Sequence, residues 1–159
     1  MPFISGASMV GQDLTRVDSS AAVPLGTQVV ADNGATYRYI KAAAAIAADD
    51  ILHTDAAGLD NLTPTTAVAQ KPVGVAPVAI ASGSYGWVIV RGPATAKVAA
   101  ATAANAAIGT SATAGTGTTI TASATVTQAE AIAAIAAAAG VGILTTGAEA
   151  GGKAPVMLA

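Results

Sequence analysis

The stretch VGVAPVAIASGSYGWVIVR at 73–91 constrains this chain more than any other. Two runs rich in β-branched residues flank Ser-Gly-Ser-Tyr-Gly. Val and Ile suit a pleated surface, and Gly and Ser supply the backbone freedom of a reversal, so the pattern predicts a β-hairpin. The C-terminus repeats it without a gap. Val141, Gly142 and Ile143 fall on Val73, Gly74 and Val75, Gly151 falls on Gly83, and Val156, Met157 and Leu158 fall on Val88, Ile89 and Val90. The spacing is a constant 68 positions (73 to 141, 88 to 156). A repeated structural unit with no catalytic constellation on it favours packing and assembly over catalysis.

A second echo runs at a spacing of 56 positions (52 to 108). Ala47-Ala48-Asp49 matches Ala103-Ala104-Asn105, Leu52 matches Ile108, and Thr54-Asp55-Ala56 matches Thr110-Ser111-Ala112. After a one-residue slip, Ala57-Gly58 matches Ala114-Gly115. The alanine-rich run 42–48 has helix propensity, but the echo favours an extended approach, a turn at Asp49-Asp50 and a short strand at 51–54. Each copy then reads strand, turn, strand, hairpin, over about 44–91 and 100–159. Two long copies are too few for a solenoid and suggest a pseudo-symmetric barrel or sandwich. Arg91-Gly92-Pro93 is read as the end of a strand, since Gly and Pro weaken pairing.

Ahead of these lies another hairpin at 27–41. Its turn is Asp32-Asn33-Gly34, because Asn-Gly suits a type I′ reversal, which wants positive φ at both central residues. On the return strand Tyr37, Tyr39 and Lys41 alternate with Arg38 and Ile40, so the two tyrosines share a face as core or interface anchors. Residues 1–26 show no period, yet carry more large apolar side chains than disordered tails usually do. We read them as an extended arm that docks on a neighbour, preceding a β-rich domain at 27–159. At 127–140, Thr127 and Glu130 form a capping-box pattern, alanines follow and Gly140 can close the end. That predicts one short helix at 128–139. The expected fold is therefore mainly β: a small barrel or sandwich of hairpins with an internal pseudo-repeat, an extended N-terminal arm and at most one short helix.

Composition narrows the function. Of 159 residues, 53% are hydrophobic but only 3% aromatic and 10% charged, against a usual charged share of about 25%. Alanine-rich cores bury little area per residue, and a sparsely charged surface does little to oppose association. Both imply a surface covered by copies of the chain or by a partner. The seven basic residues are scattered and the net charge is −2, so a nucleic-acid footprint is absent. The longest apolar run, at 131–144, is shorter than the ~20 residues of a membrane span. The N-terminus lacks the basic start and apolar core of a signal peptide, which points to synthesis in the cytoplasm and no membrane partner. With no cysteine there is neither a disulfide framework nor a thiolate metal site.

The motifs with chemical content fall short on context. GAEAGGKA at 147–154 fits G-x-x-x-x-G-K, but Ala154 stands where a phosphate loop needs Ser or Thr, and Pro155 follows. His53 is the only histidine. Asp49, Asp50, Asp55 and Asp60 surround it, but not at calcium-loop spacing, and aspartates in turns bond their own backbone. No serine sits in a G-x-S-x-G elbow. The sequon at Asn61-Leu62-Thr63 is idle unless a eukaryote exports the chain. Trp87 beside Tyr85 is an anchor for a core or a subunit contact. We expect no catalytic residues, no metal and no cofactor.

The segments SGASMVGQDLTRVDSSAAVPLGT, DNGATYRYIKA, AIAADDIL, YGWVIVRG and TSATAG, in this order along nearly the whole chain, resemble the head decoration, or cement, proteins of tailed bacteriophages. The resemblance implies a non-enzymatic virion protein on the outside of the icosahedral capsid. Such proteins usually sit as homotrimers that bridge major capsid protein subunits, often through an N-terminal arm. With an arm of this kind, Phe3, Ile4, Val10, Leu14 and Arg16 are the expected capsid contacts, and the aromatic residues Tyr37, Tyr39, Tyr85 and Trp87 are read as the self-association set. The alternative is a tail or head-fibre component that binds a receptor or glycan, although aromatic-lined loops and a shaft repeat are missing. A hydrolase using His53 is a third reading.

Overall fold

A computed structural model describes residues 13–66, 72–98, 108–119, 143–145 and 153–158. They form eleven strands and, among the described residues, no helix. The expected helix at 128–139 lies outside them. β1 is Val17–Asp18, β2 Gln28–Val30, β3 Thr36–Ala42, β4 Ile51–Asp55, β5 Gly58–Pro64 and β6 Pro72–Val75. They are followed by β7 Tyr85–Lys97, β8 Ile108–Thr110, β9 Gly117–Thr119, β10 Ile143–Thr145 and β11 Lys153–Leu158.

Five strands close on themselves. β7 pairs β6, β6 pairs β4, β4 pairs β5, β5 pairs β3 in parallel, and β3 returns to β7. Each of the five sends an apolar side chain to one interior cluster: Ile40 and Ala42, Leu52, Leu62, Val73, and Val88 with Val90. Strand alternation turns the neighbouring residues outward. Ile51, Val75 and Ile89 join Ala96, Val98, Ile108, Val156 and Leu158 in a second cluster outside the ring. Tyr39 and Trp87 join Val29 in a third. The small barrel thus has an inner core and two outer ones. The mainly β barrel expected from the sequence is present.

β7 joins the layers. Through Arg91 it pairs with β3, and from Gly92 it pairs with β11, Gly92 facing Leu158 and Lys97 facing Lys153. Gly92 has φ +91, and a Cβ there would lie 2.9 Å from both Ala35 Cα and Gly34 O. The strand therefore runs through Gly92-Pro93 rather than ending there, because glycine can turn it from the ring into the second layer.

The hairpins are present with altered connections. β6 and β7 are antiparallel but meet only at Val75 and Ile89. The turn before Tyr85 forms, with Ser84 N–H donating to Ala81 O at 3.0 Å. Its flanks pair elsewhere, Ile80 with Ile46 and Gly83 and Ser84 with Ala42. Pro77 has no N–H to continue the ladder, and Ile80 is buried in the inner cluster instead. At 31–34, Gly34 N–H donates to Ala31 O at 3.0 Å and Gly34 alone has positive φ. That is a type I turn closed by a left-handed glycine, not the expected type I′.

The second echo also yields hairpins, β4–β5 and β8–β9. No helix forms over 42–48, and a turn precedes Ile51 as the echo implied. The two copies are not two halves of a barrel, however. Leu52 faces the interior whereas Ile108 joins the outer cluster, and β8–β9 form a separate two-stranded sheet. β10 and β11 pair as Ile143 with Leu158, one position off the register that Val75 and Ile89 define. Similar hairpins occupy different environments.

Candidate interaction surface

The expected arm does not extend away from the domain over its described part. Residues 13–26 lie across the ring as a strap, with β1 pairing β7 antiparallel, Val17 with Gly86 and Asp18 with Tyr85. Leu14 and Val23 pack on the cluster of Val29, Tyr39 and Trp87, with Tyr37 and Tyr85 at its margin. The aromatic rings touch. The Tyr39 and Trp87 centroids are 5.1 Å apart at 59°, and those of Tyr39 and Tyr85 are 6.3 Å apart and nearly parallel. Lys41 Nζ stands 5.9 Å from the Tyr85 centroid, within cation–π range.

A polar clasp holds the strap over this apolar bed. The Tyr39 hydroxyl donates to Asp18 Oδ2 at 2.9 Å and accepts from Ala22 N–H at 3.1 Å. Asp18, itself buried, takes an ion pair from Arg16 Nε at 2.6 Å. Burial raises the Tyr39 phenol above its ordinary 10.0. The Ala22 N–H pulls the other way, and the Asp18 carboxylate adds to the rise. Both hydrogen-bonding roles of the hydroxyl are filled from the strap, as a buried polar group requires.

The two sets of sequence-predicted contacts meet within the chain at one described point, Leu14 on the aromatic cluster. Of the residues expected to meet the capsid, Leu14 packs on the chain's own aromatic face, and Arg16, largely exposed, pairs with Asp18. Tyr39 and Trp87, expected at a subunit border, are only 1% and 2% exposed. Tyr37 and Tyr85 are half-buried. An anchor residue suits a core as well as an interface, and here the core takes it. Phe3, Ile4 and Val10 lie outside the described residues. Alternation along 36–42 marked the tyrosines, but nothing in the sequence marked Asp18 and Ala22 as their partners.

Several other polar residues have structural partners. Asp50 accepts from Ala47 N–H at 2.7 Å and pairs with Lys97 Nζ at 2.6 Å. Asp60 pairs with Arg38, and Asp55 accepts from Ala57 N–H at 3.2 Å. Among the described residues, no three His, Asp or Glu side chains converge. Lys153 opens β11, so a strand stands where a phosphate loop needs a helix. An open groove of about 420 Å³ is lined by Asp49, Pro77, Ile89, Pro93, Ala94 and Thr95. Its walls are mostly proline and aliphatic carbon. Large apolar side chains reach solvent at Val17, Leu25, Val30 and Met157. β2 and β10 end the strand order, so each has an edge with no strand beside it among the described residues.

Taken together, these features define a mainly β protein built on a closed five-stranded barrel with a second layer and a strap. The same fold is found in the N base of the head fibre protein gp8.5 of bacteriophage phi29. That structure aligns with a TM-score of 0.53 and 14% identity, over 77% of this chain and 92% of that one. No known family profile matches the chain, and no curated protein sequence does.

Proposed function

We propose that this chain is a structural component of a tailed-phage particle, mounted on the outside of the icosahedral head, where it acts by contact and without catalysis. The observation that carries this reading is the fold shared with a head-fibre base over 92% of that chain. The ordered resemblance to head decoration proteins and the apolar, weakly charged composition agree with it. In this reading the partners are the major capsid protein and further copies of the chain as a trimer, with neither nucleic acid nor membrane involved. The protein is made in the cytoplasm of the host bacterium. Each copy adds apolar contacts and strand pairing across capsid subunit borders, and many weak contacts on a lattice hold firmly. The exposed Val17, Leu25, Val30 and Met157 and the open edges of β2 and β10 are the surfaces suited to such contacts.

A second reading, the base of a head fibre with a receptor- or glycan-binding role further out, is favoured by the same likeness. The two separate on purified heads that lack the protein. Added chain should bind the exterior, appear by cryo-electron microscopy over the subunit borders, and raise the temperature at which heads rupture. Sparse projecting copies, with unchanged rupture but altered adsorption to cells, favour the fibre. Heads that bind no chain reject both.

A further inference from the structure

The strap has a property that the barrel strands lack: the ring closes without it. β7, β6, β4, β5 and β3 pair in a circle that includes neither β1 nor any residue before Thr36. β1 is two residues long, so little backbone pairing is lost when the strap leaves. Its seat, by contrast, is specific. Tyr39 needs an acceptor and a donor at set positions, and Asp18 and Ala22 supply both, while Leu14 and Val23 cover the apolar surface around them. An unrelated peptide would leave the hydroxyl unpaired; a second copy of this strap would satisfy every contact.

We propose that the strap is exchangeable, so that residues 13–24 of one copy occupy the seat of another and link the chains. The hinge is the turn at 24–27. Thr27 N–H and Oγ1 both bond Pro24 O, at 3.2 and 2.6 Å, and Gly26 has φ +81. Leu25 at its tip is exposed. Opening this turn redirects the strap with its own contacts intact, so exchange is nearly neutral in contact energy and is driven by local concentration. The aromatic set then becomes a subunit contact after all, through a neighbour's strap. The inference does not depend on the phage reading.

Two measurements on the full chain test it. Deleting Leu25 and Gly26 removes the reversal, so the strap cannot reach its own seat. The expected result is a doubled or higher mass by light scattering, with Trp87, the sole tryptophan, still shielded from acrylamide. A monomer, with Trp87 shielded or not, overturns the proposal. The second uses the absence of cysteine. A V17C, W87F chain carrying a dansyl group is mixed with unlabelled native chain. Energy transfer from Trp87 can then arise only between chains. Transfer should grow after mixing toward that of a labelled V17C chain that keeps Trp87. If transfer stays at background while that reference chain transfers efficiently, the strap serves its own copy only. Each measurement stands if the other variant fails to fold.

Discussion

At the residue scale, Tyr39 decides how the outer face is closed. Replacing it by Phe keeps the ring but takes away the hydrogen-bond partner of Asp18 Oδ2 and of the Ala22 N–H, leaving Asp18 only its pair with Arg16. Y39F should lose about 1–3 kcal/mol in urea unfolding, the cost of stranding buried polar groups. The phenol also gives a pH signature. Its folded pKa lies above the unfolded 10.0, so the folded state holds the proton more tightly. That stabilisation is complete below about pH 10 and is lost as pH rises through the higher folded value. Acrylamide quenching of Trp87 should therefore rise only in the alkaline range, and the Tyr39-dependent step should be missing in Y39F. Tyr39 was legible as an anchor from alternation alone. Which face was which was not, because a strand with a closed ring on one side and a strap on the other is buried on both.

At the element scale, β7 carries the architecture across two layers, and Gly92 is where it changes partner. In G92A a methyl group would meet the backbone of Gly34 and Ala35, at a φ of +91 that L-residues rarely adopt. We expect a loss of about 1–3 kcal/mol in thermal or urea unfolding, the range for backbone strain of this kind. Farther along, Lys97 reaches back to the buried Asp50. K97M should cost about 1–3 kcal/mol, below the ~3–5 of a fully buried pair because Lys97 is partly exposed. A double-mutant cycle with D50N measures the coupling. The strand core YGWVIVR was readable from β-branched and aromatic residues. Its continuation was not, since Gly-Pro marks an end in isolation and a partner change once β11 is alongside.

For the whole molecule, ring closure separates the strap from the barrel. Under rising urea, Trp87 emission should shift to the red before the far-ultraviolet β signal falls, since a segment with few contacts opens at lower free energy than the core. Coincident transitions would mean that strap and ring form one cooperative unit. Ring closure also explains the fate of the repeat. Similar hairpin sequences occur in both copies, but a barrel of five strands is complete before β8 begins. The later hairpins can only pack outside it.

What the sequence by itself determined is local: the β class, the strands around Tyr37–Tyr39 and Tyr85–Val90, and the turns at Gly34 and Gly83. Propensity and alternation act within a few residues, and they suffice for these. Only the tertiary structure decided that residues 13–26 lie back over the chain's own aromatics, that Ile80 pairs with Ile46 rather than within its hairpin, and that β3 and β5 close the ring in parallel. Those outcomes depend on contacts between residues far apart in the chain, where several pairings satisfy the same apolar pattern. The choice falls to the one that buries all three clusters together while leaving Asp18 and Tyr39 bonded to each other.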